Sequence, residues 1–254
     1  MLAVRIIPCL LFKDRTIVKS FQFQDDKLRM VGDPTTVARV FNNRNADELI
    51  FLDIMASRNK KEPNYDVLKK IAQECHMPLT IGGGISKIEH ADRLFDIGAD
   101  KISINSAVIT KPELISQIAG KYGSQAIVAS IDVKKNCTGY ETFIMGGKRN
   151  AEIEPLALAK KAEDLGAGEI LLNSIDRDGT KEGYDLEIIK HISEGVSIPV
   201  IAVGGCGKLQ DLADAITTAK ASAVCAATIF YYVGESMITI KKYLHDKQIS
   251  VRTI

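Results

Sequence analysis

Short apolar runs, rich in Val and Ile, recur along the chain and alternate with longer stretches whose apolar positions fall three and four residues apart. The runs at 4–11, 48–54, 78–82, 101–105, 126–132, 168–174, 198–203 and 222–227 read as strands. They are nearly continuous in apolar residues, the pattern of strands buried on both faces. Between them, Pro34–Asn43, Tyr65–Glu74, Ile88–Ile97, Lys111–Tyr122, Pro155–Leu165, Leu186–Glu194 and Leu209–Ala219 read as amphipathic helices, and a last helix covers roughly Ser236–His245. Eight such alternations in 254 residues predict an α/β fold, a parallel sheet closed into a (β/α)8 TIM barrel.

The second half echoes the first at a spacing of 121 residues: Pro78 returns as Pro199, Gly83-Gly84 as Gly204-Gly205, Lys87 as Lys208 and Glu48 as Glu169. The chain therefore reads as one barrel of two duplicated half-barrels, approximately 1–122 and 123–254, neither of which closes a sheet alone. Two polar stretches are long for loops, 19–33 and 134–150; they are the same element in the two halves, on the face where strands end. At one pair of equivalent positions the halves differ in chemistry: Leu11 matches Asp132.

Composition narrows the function classes. The net charge is +1 with acids and bases interspersed, so no basic face for nucleic acid is implied. No apolar run reaches the ~20 residues of a membrane span. The start carries Arg5 in its apolar run and reads as a first strand, not as a signal peptide. Five widely spaced cysteines without metal-type spacing predict reduced thiols in a cytoplasmic protein, with no metal site and no cofactor.

Candidate chemistry lies at the predicted strand ends. Gly82-Gly83-Gly84 follows the third strand and Gly204-Gly205 the seventh; glycine there lets backbone N–H groups approach an anion. Asn105-Ser106 ends the fourth strand and Ala227-Thr228 the eighth. Two such cradles on opposite sides of the rim predict a ligand with a phosphate at each end; the plain alternative is that the glycines only make tight turns. Asp53, Asp132, Asp176 and Asp178 fall at or just after strand ends, where a carboxylate is more often chemical than structural. Asp132 is the best candidate for a general acid or base; Asp176 is expected to brace its loop, and Asp178 only in part. The four histidines fall on helices or helix ends, away from this rim. At the opposite end, Arg5, Glu48, Lys101 and Glu169 start four strands; two cations and two anions there form either a salt-bridged plug or a gate for a small neutral molecule.

Together these residues resemble the cyclase subunit of imidazole glycerol phosphate synthase, a histidine-pathway family. The most specific stretches are Asp47-Glu-Leu-Ile-Phe-Leu-Asp53, Gly82-Gly-Gly-Ile85, Gly98-Ala-Asp-Lys-Ile-Ser-Ile-Asn105, Gly166-Ala-Gly-Glu-Ile-Leu-Leu172 and Ser174-Ile-Asp-Arg-Asp-Gly-Thr180. The resemblance implies a class I glutamine amidotransferase (glutaminase) partner docked on the barrel floor. It implies ammonia entry past Arg5, Glu48, Lys101 and Glu169, and attack on a doubly phosphorylated ribulotide at the rim. By the same match Gly84, Asn105 and Ser106 hold one phosphate, Asp178, Gly179, Gly205, Ala227 and Thr228 the other, and Lys19 lies on the first rim loop. The family's chemistry uses two aspartates, one at the end of the first strand and one at the end of the fifth. The second is Asp132; at the first stands Leu11, and Asn173 and Val203 replace small hydroxyl residues.

Pro8-Cys-Leu-Leu11 and Leu172-Asn-Ser-Ile-Asp-Arg-Asp-Gly179 resemble more closely a divergent branch of that family associated with acetamidino modification of bacterial surface sugars. On that resemblance the expected function is ammonia supply, with a glutaminase, to a sugar amidotransferase. The alternatives are an authentic cyclase–lyase of histidine biosynthesis, with Asp178 or Asp53 assisting Asp132, and a non-catalytic scaffold that activates the glutaminase.

Overall fold

A computed structural model describes residues 3–252, so positions 1, 2, 253 and 254 of the two half-barrel ranges lie outside the described residues. The first half contributes strands β1 (Arg5–Lys13), β2 (Thr16–Lys19), β3 (Arg29–Gly32), β4 (Leu49–Asp53), β5 (Leu79–Gly82) and β6 (Lys101–Ile104). Its helices are α1 (Pro34–Asn43), α2 (Tyr65–Glu74), α3 (Ile88–Asp96), α4 (Ser106–Thr110) and α5 (Glu113–Tyr122). The second half contributes β7 (Ile127–Asn136), β8 (Gly139–Ile144), β9 (Arg149–Asn150), β10 (Glu169–Ser174), β11 (Val200–Val203) and β12 (Ala223–Ala226), with α6 (Pro155–Asp164), α7 (Leu186–Gly195), α8 (Leu209–Thr217) and α9 (Met237–Asp246).

Eight strands pair in parallel around a closed ring, β1-β4-β5-β6-β7-β10-β11-β12 and back to β1. The predicted (β/α)8 barrel is the observed fold. Strand residues alternate between two apolar cores, which is why the runs read as continuous. Ile6, Leu10, Phe51, Ile127, Ile170 and Val200 point to the helices; Ile7, Cys9, Ile50, Val128, Leu171, Ile201 and Cys225 fill the barrel. The helices start where polar caps meet the backbone: Asp33 accepts from the Thr36 N–H with Pro34 following, and Asn64 accepts from the Val67 N–H. The stretch expected as one helix from Lys111 is preceded by the separate short helix α4, and Pro112, which has no N–H to donate, stands before α5.

The two long polar stretches are not open loops. Residues 19–33 return as the β2–β3 hairpin, with a 3-10 turn at Asp25–Lys27, and β7 runs on to Asn136 and folds back through β8 and β9. Equivalent positions pair in equivalent ways: Leu11 lies opposite Val18, and Asp132 opposite Phe143. Among the described residues no helix is long and apolar enough to cross a membrane.

Candidate active site

Because inward positions alternate along each strand, one row on β1 reads Arg5, Ile7, Cys9, Leu11 from floor to rim. The equivalent row of the second half reads Val128, Ser130, Asp132 above its apolar base. The rim ends of both rows open into a single pocket that contains Leu11 and Asp132 together.

On the first-half side this pocket is lined by Gly83, Gly84, Asn105 and Ser106, and on the opposite side by Asp178, Gly179, Gly204, Gly205, Ala227 and Thr228. The glycine pairs hold positive φ, +100° and +77° at Gly83 and Gly84, +95° and +103° at Gly204 and Gly205. Neither turn has room for a side chain: a Cβ at Gly83 would lie 2.2 Å from the Asp53 carbonyl oxygen, and one at Gly205 2.2 Å from that of Gly183. Of the residues expected in a phosphate cradle, all but Gly82, which ends β5 and is buried, line this one pocket. Lys19 lines a neighbouring pocket with Lys27, Arg29 and Lys181, which shares Ser20 and Gly179 with the first. Burial, and then the Lys181 charge, lower the Lys19 ammonium from 10.5 to about 8.

The carboxylates separate by environment. Asp132 is 7% exposed, and burial followed by the Asp178 charge pushes it up from 3.8 to about 7. Its Oδ2 accepts from Asn105 Nδ2 at 3.2 Å, and the same amide donates to the Ser130 carbonyl oxygen at 3.0 Å. Asp178 is also raised by burial, against a 2.5 Å hydrogen bond from Ser20 Oγ. Asp53 serves its own loop: its Oδ1 accepts from the N–H groups of Met55 at 2.9 Å and Ala56 at 3.0 Å. Asp53 also lines the rim pocket, and burial raises the pKa of its carboxyl, so its Oδ1 caps the loop after β4 while the residue stays at the rim where the strand-end argument placed it. Asp176 accepts from the Lys135 N–H at 2.7 Å and braces the loop as expected.

At the floor the four charges meet in a square. Arg5 Nη1 lies 2.7 Å from Glu48 and 2.9 Å from Glu169; Lys101 Nζ lies 3.1 Å from Glu48 and 3.2 Å from Glu169. Thr80 Oγ1 adds a hydrogen bond to Glu48 at 2.9 Å, and Glu48 is only 2% exposed. Burial opposes the charge on Arg5, but the Glu169 and Glu48 carboxylates outweigh it and raise its pKa further.

Sequence reasoning missed two contributors. Ser20 holds Asp178 from across the barrel, 158 residues away. Arg58 lines the pocket from the loop after β4, where Arg58-Asn-Lys-Lys61 reads as an ordinary solvated basic stretch. Neither carries a local signal, because each acts through a partner distant in sequence.

A closed parallel barrel with an acid between two glycine-turn cradles at the rim defines a class, and the chain belongs to the histidine biosynthesis protein family, whose model matches residues 5–235. Within it, the chain is similar to imidazole glycerol phosphate synthase subunit HisF of Alkaliphilus metalliredigens, 46% identical over 99% of this chain and 100% of that protein. It is likewise similar to the HisF subunits of Chlorobium phaeovibrioides and Chlorobaculum tepidum, each 49% identical over 99% of this chain and 100% of theirs. These names support the histidine-pathway cyclase alternative better than the surface-sugar expectation.

Proposed function

We propose that the chain is the ammonia-using barrel subunit of a glutamine amidotransferase of the imidazole glycerol phosphate synthase type. The observation that carries this is the shared axis: a ring of four charges closes one end of the apolar interior, and a buried acid near neutrality sits at the other. A class I glutaminase docks at the floor, forming a heterodimer, and Arg5, Glu48, Lys101 and Glu169 act as the gate. Neutral ammonia crosses the apolar layers that an ammonium ion, costly to desolvate, does not. At the rim, Gly84, Asn105 and Ser106 hold one phosphate of the ligand; Asp178, Gly179, Gly205, Ala227 and Thr228 hold the other. Asp132, poised between its two protonation states at neutral pH, moves the proton.

The relatives' names favour cyclase–lyase chemistry on the ribulotide as the outcome. One specific observation favours a second reading. Where the second half presents Asp132, the first presents Leu11, which neither gives nor takes a proton. Ring closure needs both operations, and loss of a positioned acid–base group costs roughly 10²–10⁴ in rate. In the second reading ammonia is handed on to a separate sugar amidotransferase, and the rim site binds a phosphorylated regulator or acceptor. A scaffold that only activates the glutaminase has no use for two anion cradles.

The test is turnover of the ribulotide by the purified barrel with its glutaminase, with glutamine and with ammonium salts as nitrogen source. Turnover within tenfold of an ordinary cyclase establishes the first reading and removes the second. Glutamine hydrolysis stimulated by the barrel without ribulotide cleavage supports the second.

A further inference from the structure

The first-half cradle has a cation beside it. Arg58 has only 12% of its side chain exposed; its Nη2 donates to the Gly146 carbonyl oxygen at 2.6 Å, and its Nη1 pairs with Asp25 Oδ1 at 2.5 Å. Its Nε is buried with no hydrogen-bond partner among the described residues. Two contacts fix its place at the cradle. The neighbouring Ser57 Oγ accepts from the Gly84 N–H at 3.3 Å, and Met145, next to Gly146, donates its N–H to Ser106 Oγ at 3.1 Å. Arg58, Gly84, Asn105 and Ser106 line the same pocket, and the Arg58 charge reaches Asp132, where it opposes the effect of burial.

Asp25 comes from elsewhere. It sits in the turn of the β2–β3 hairpin, is 48% exposed, and has a second cation of its own in Lys148 Nζ at 2.7 Å. A guanidinium presents five donors in a planar fork that fits the oxygens of a carboxylate or a phosphate equally well. In this arrangement one arm of the fork grips a carboxylate, and the buried Nε donor of the same pocket-lining residue is unused.

We propose that Arg58 is the charged member of the first anion cradle, and that Asp25 is an internal stand-in which a phosphomonoester dianion displaces. This rests on reading Gly84, Asn105 and Ser106 as a phosphate cradle. When the ligand arrives, Arg58 turns its Nη1 and Nε donors to phosphate oxygens, while Asp25 keeps Lys148. The exchange also loosens the hairpin turn that covers the rim, because Asp25 ties that turn to the loop after β4. The Gln22 N–H, which donates to the Asp178 carbonyl oxygen at 2.9 Å, holds the same segment on the far side. Phosphate bound in one half is thereby sensed by the segment that lies against the other.

Calorimetric titration of the full chain with inorganic phosphate tests this, in the parent protein, in Arg58→Gln and in Asp25→Asn. Arg58→Gln is expected to weaken one phosphate site on the order of tenfold, the usual scale for a charge-assisted contact. Asp25→Asn is expected to tighten it severalfold, since the competing carboxylate is gone. If Arg58 and Asp25 only staple two loops together, both substitutions weaken binding, and that result overturns the proposal. So does an affinity indifferent to both. Should Arg58→Gln fail to fold, the half-exposed Asp25 still decides, because unchanged or weaker binding in Asp25→Asn refutes displacement. Absence of any phosphate binding to the parent removes the cradle reading as well, whereas binding that ignores positions 25 and 58 removes this inference alone.

Discussion

Asp132→Asn should stabilise the protein, and the gain should depend on pH in a way that measures the cost of burying this acid. In the folded chain Asp132 titrates near 7 rather than 3.8, because burial and the Asp178 charge both disfavour its anion. Below about pH 4 the side chain is protonated in both the folded and unfolded states, and Asn and Asp are nearly equivalent. Between about 4 and 7 the unfolded chain has lost the proton that the folded chain retains, so parent stability falls as pH rises. Above about 7 the proton has left both states and the penalty is constant. At about 1.4 kcal/mol per pH unit, the span from 3.8 to about 7 amounts to roughly 4 kcal/mol as an upper value. For a chain of this size each kcal/mol moves Tm by roughly 2–4 °C, so the variant should melt on the order of 10 °C above the parent at pH 8. The two should melt together at pH 4. The amide also keeps an acceptor for Asn105 Nδ2, so no hydrogen bond is sacrificed on that side. Thermal melts of both proteins from pH 4 to 8 make the measurement, and the difference contains the burial of Asp132 together with its coupling to Asp178. A Tm difference that is flat across that range would show that the carboxyl is not held protonated by its surroundings.

Leu11→Asp should raise ribulotide turnover by about 10²-fold or more if the pocket otherwise suits the cyclase reaction; single-turnover assays at saturating ammonia read this directly, and no gain would show that Asn173 and Val203 block the chemistry as well. Lys101→Met leaves Glu48 and Glu169 facing each other without one of their two cations. It should cost about 3–5 kcal/mol of stability and uncouple glutamine hydrolysis from product; unchanged coupling, measured as product per glutamate released, would leave the ring as a plug. Gly179→Ala places a methyl 2.4 Å from the Ser20 carbonyl oxygen at a φ of +73°, so it should loosen the hairpin over the rim and weaken phosphate binding; equal affinity and equal melting would show that the segment yields without cost.

Much of the fold and of the site is legible in the sequence. The eight strands and the floor charges follow from local pattern: every buried strand must read apolar in both directions, and a charge at a strand start has few places to go. The two glycine turns were visible for the same reason, since a backbone that must approach a ligand or a neighbouring carbonyl closely excludes a Cβ. At Asp53 the strand-end position is legible but the loop contact is not: Asp53 lines the rim pocket, and only the structure shows that its Oδ1 also accepts from the N–H groups of Met55 and Ala56. The stretches 19–33 and 134–150 were seen as long and equivalent, but their folding into hairpins depends on the register against β1 and β7.

The sequence alone determined the ring of strands, the echo of residue types at a spacing of 121 and the difference between Leu11 and Asp132, because these are properties of residue type at a fixed period. Tertiary structure alone decided which distant groups share an environment. It brought Ser20 to Asp178, Asp25 to Arg58, and enough protein around Asp132 to raise its pKa toward neutrality. Coulombic and desolvation energies depend on separation in space and on displaced water, and neither is written along the chain.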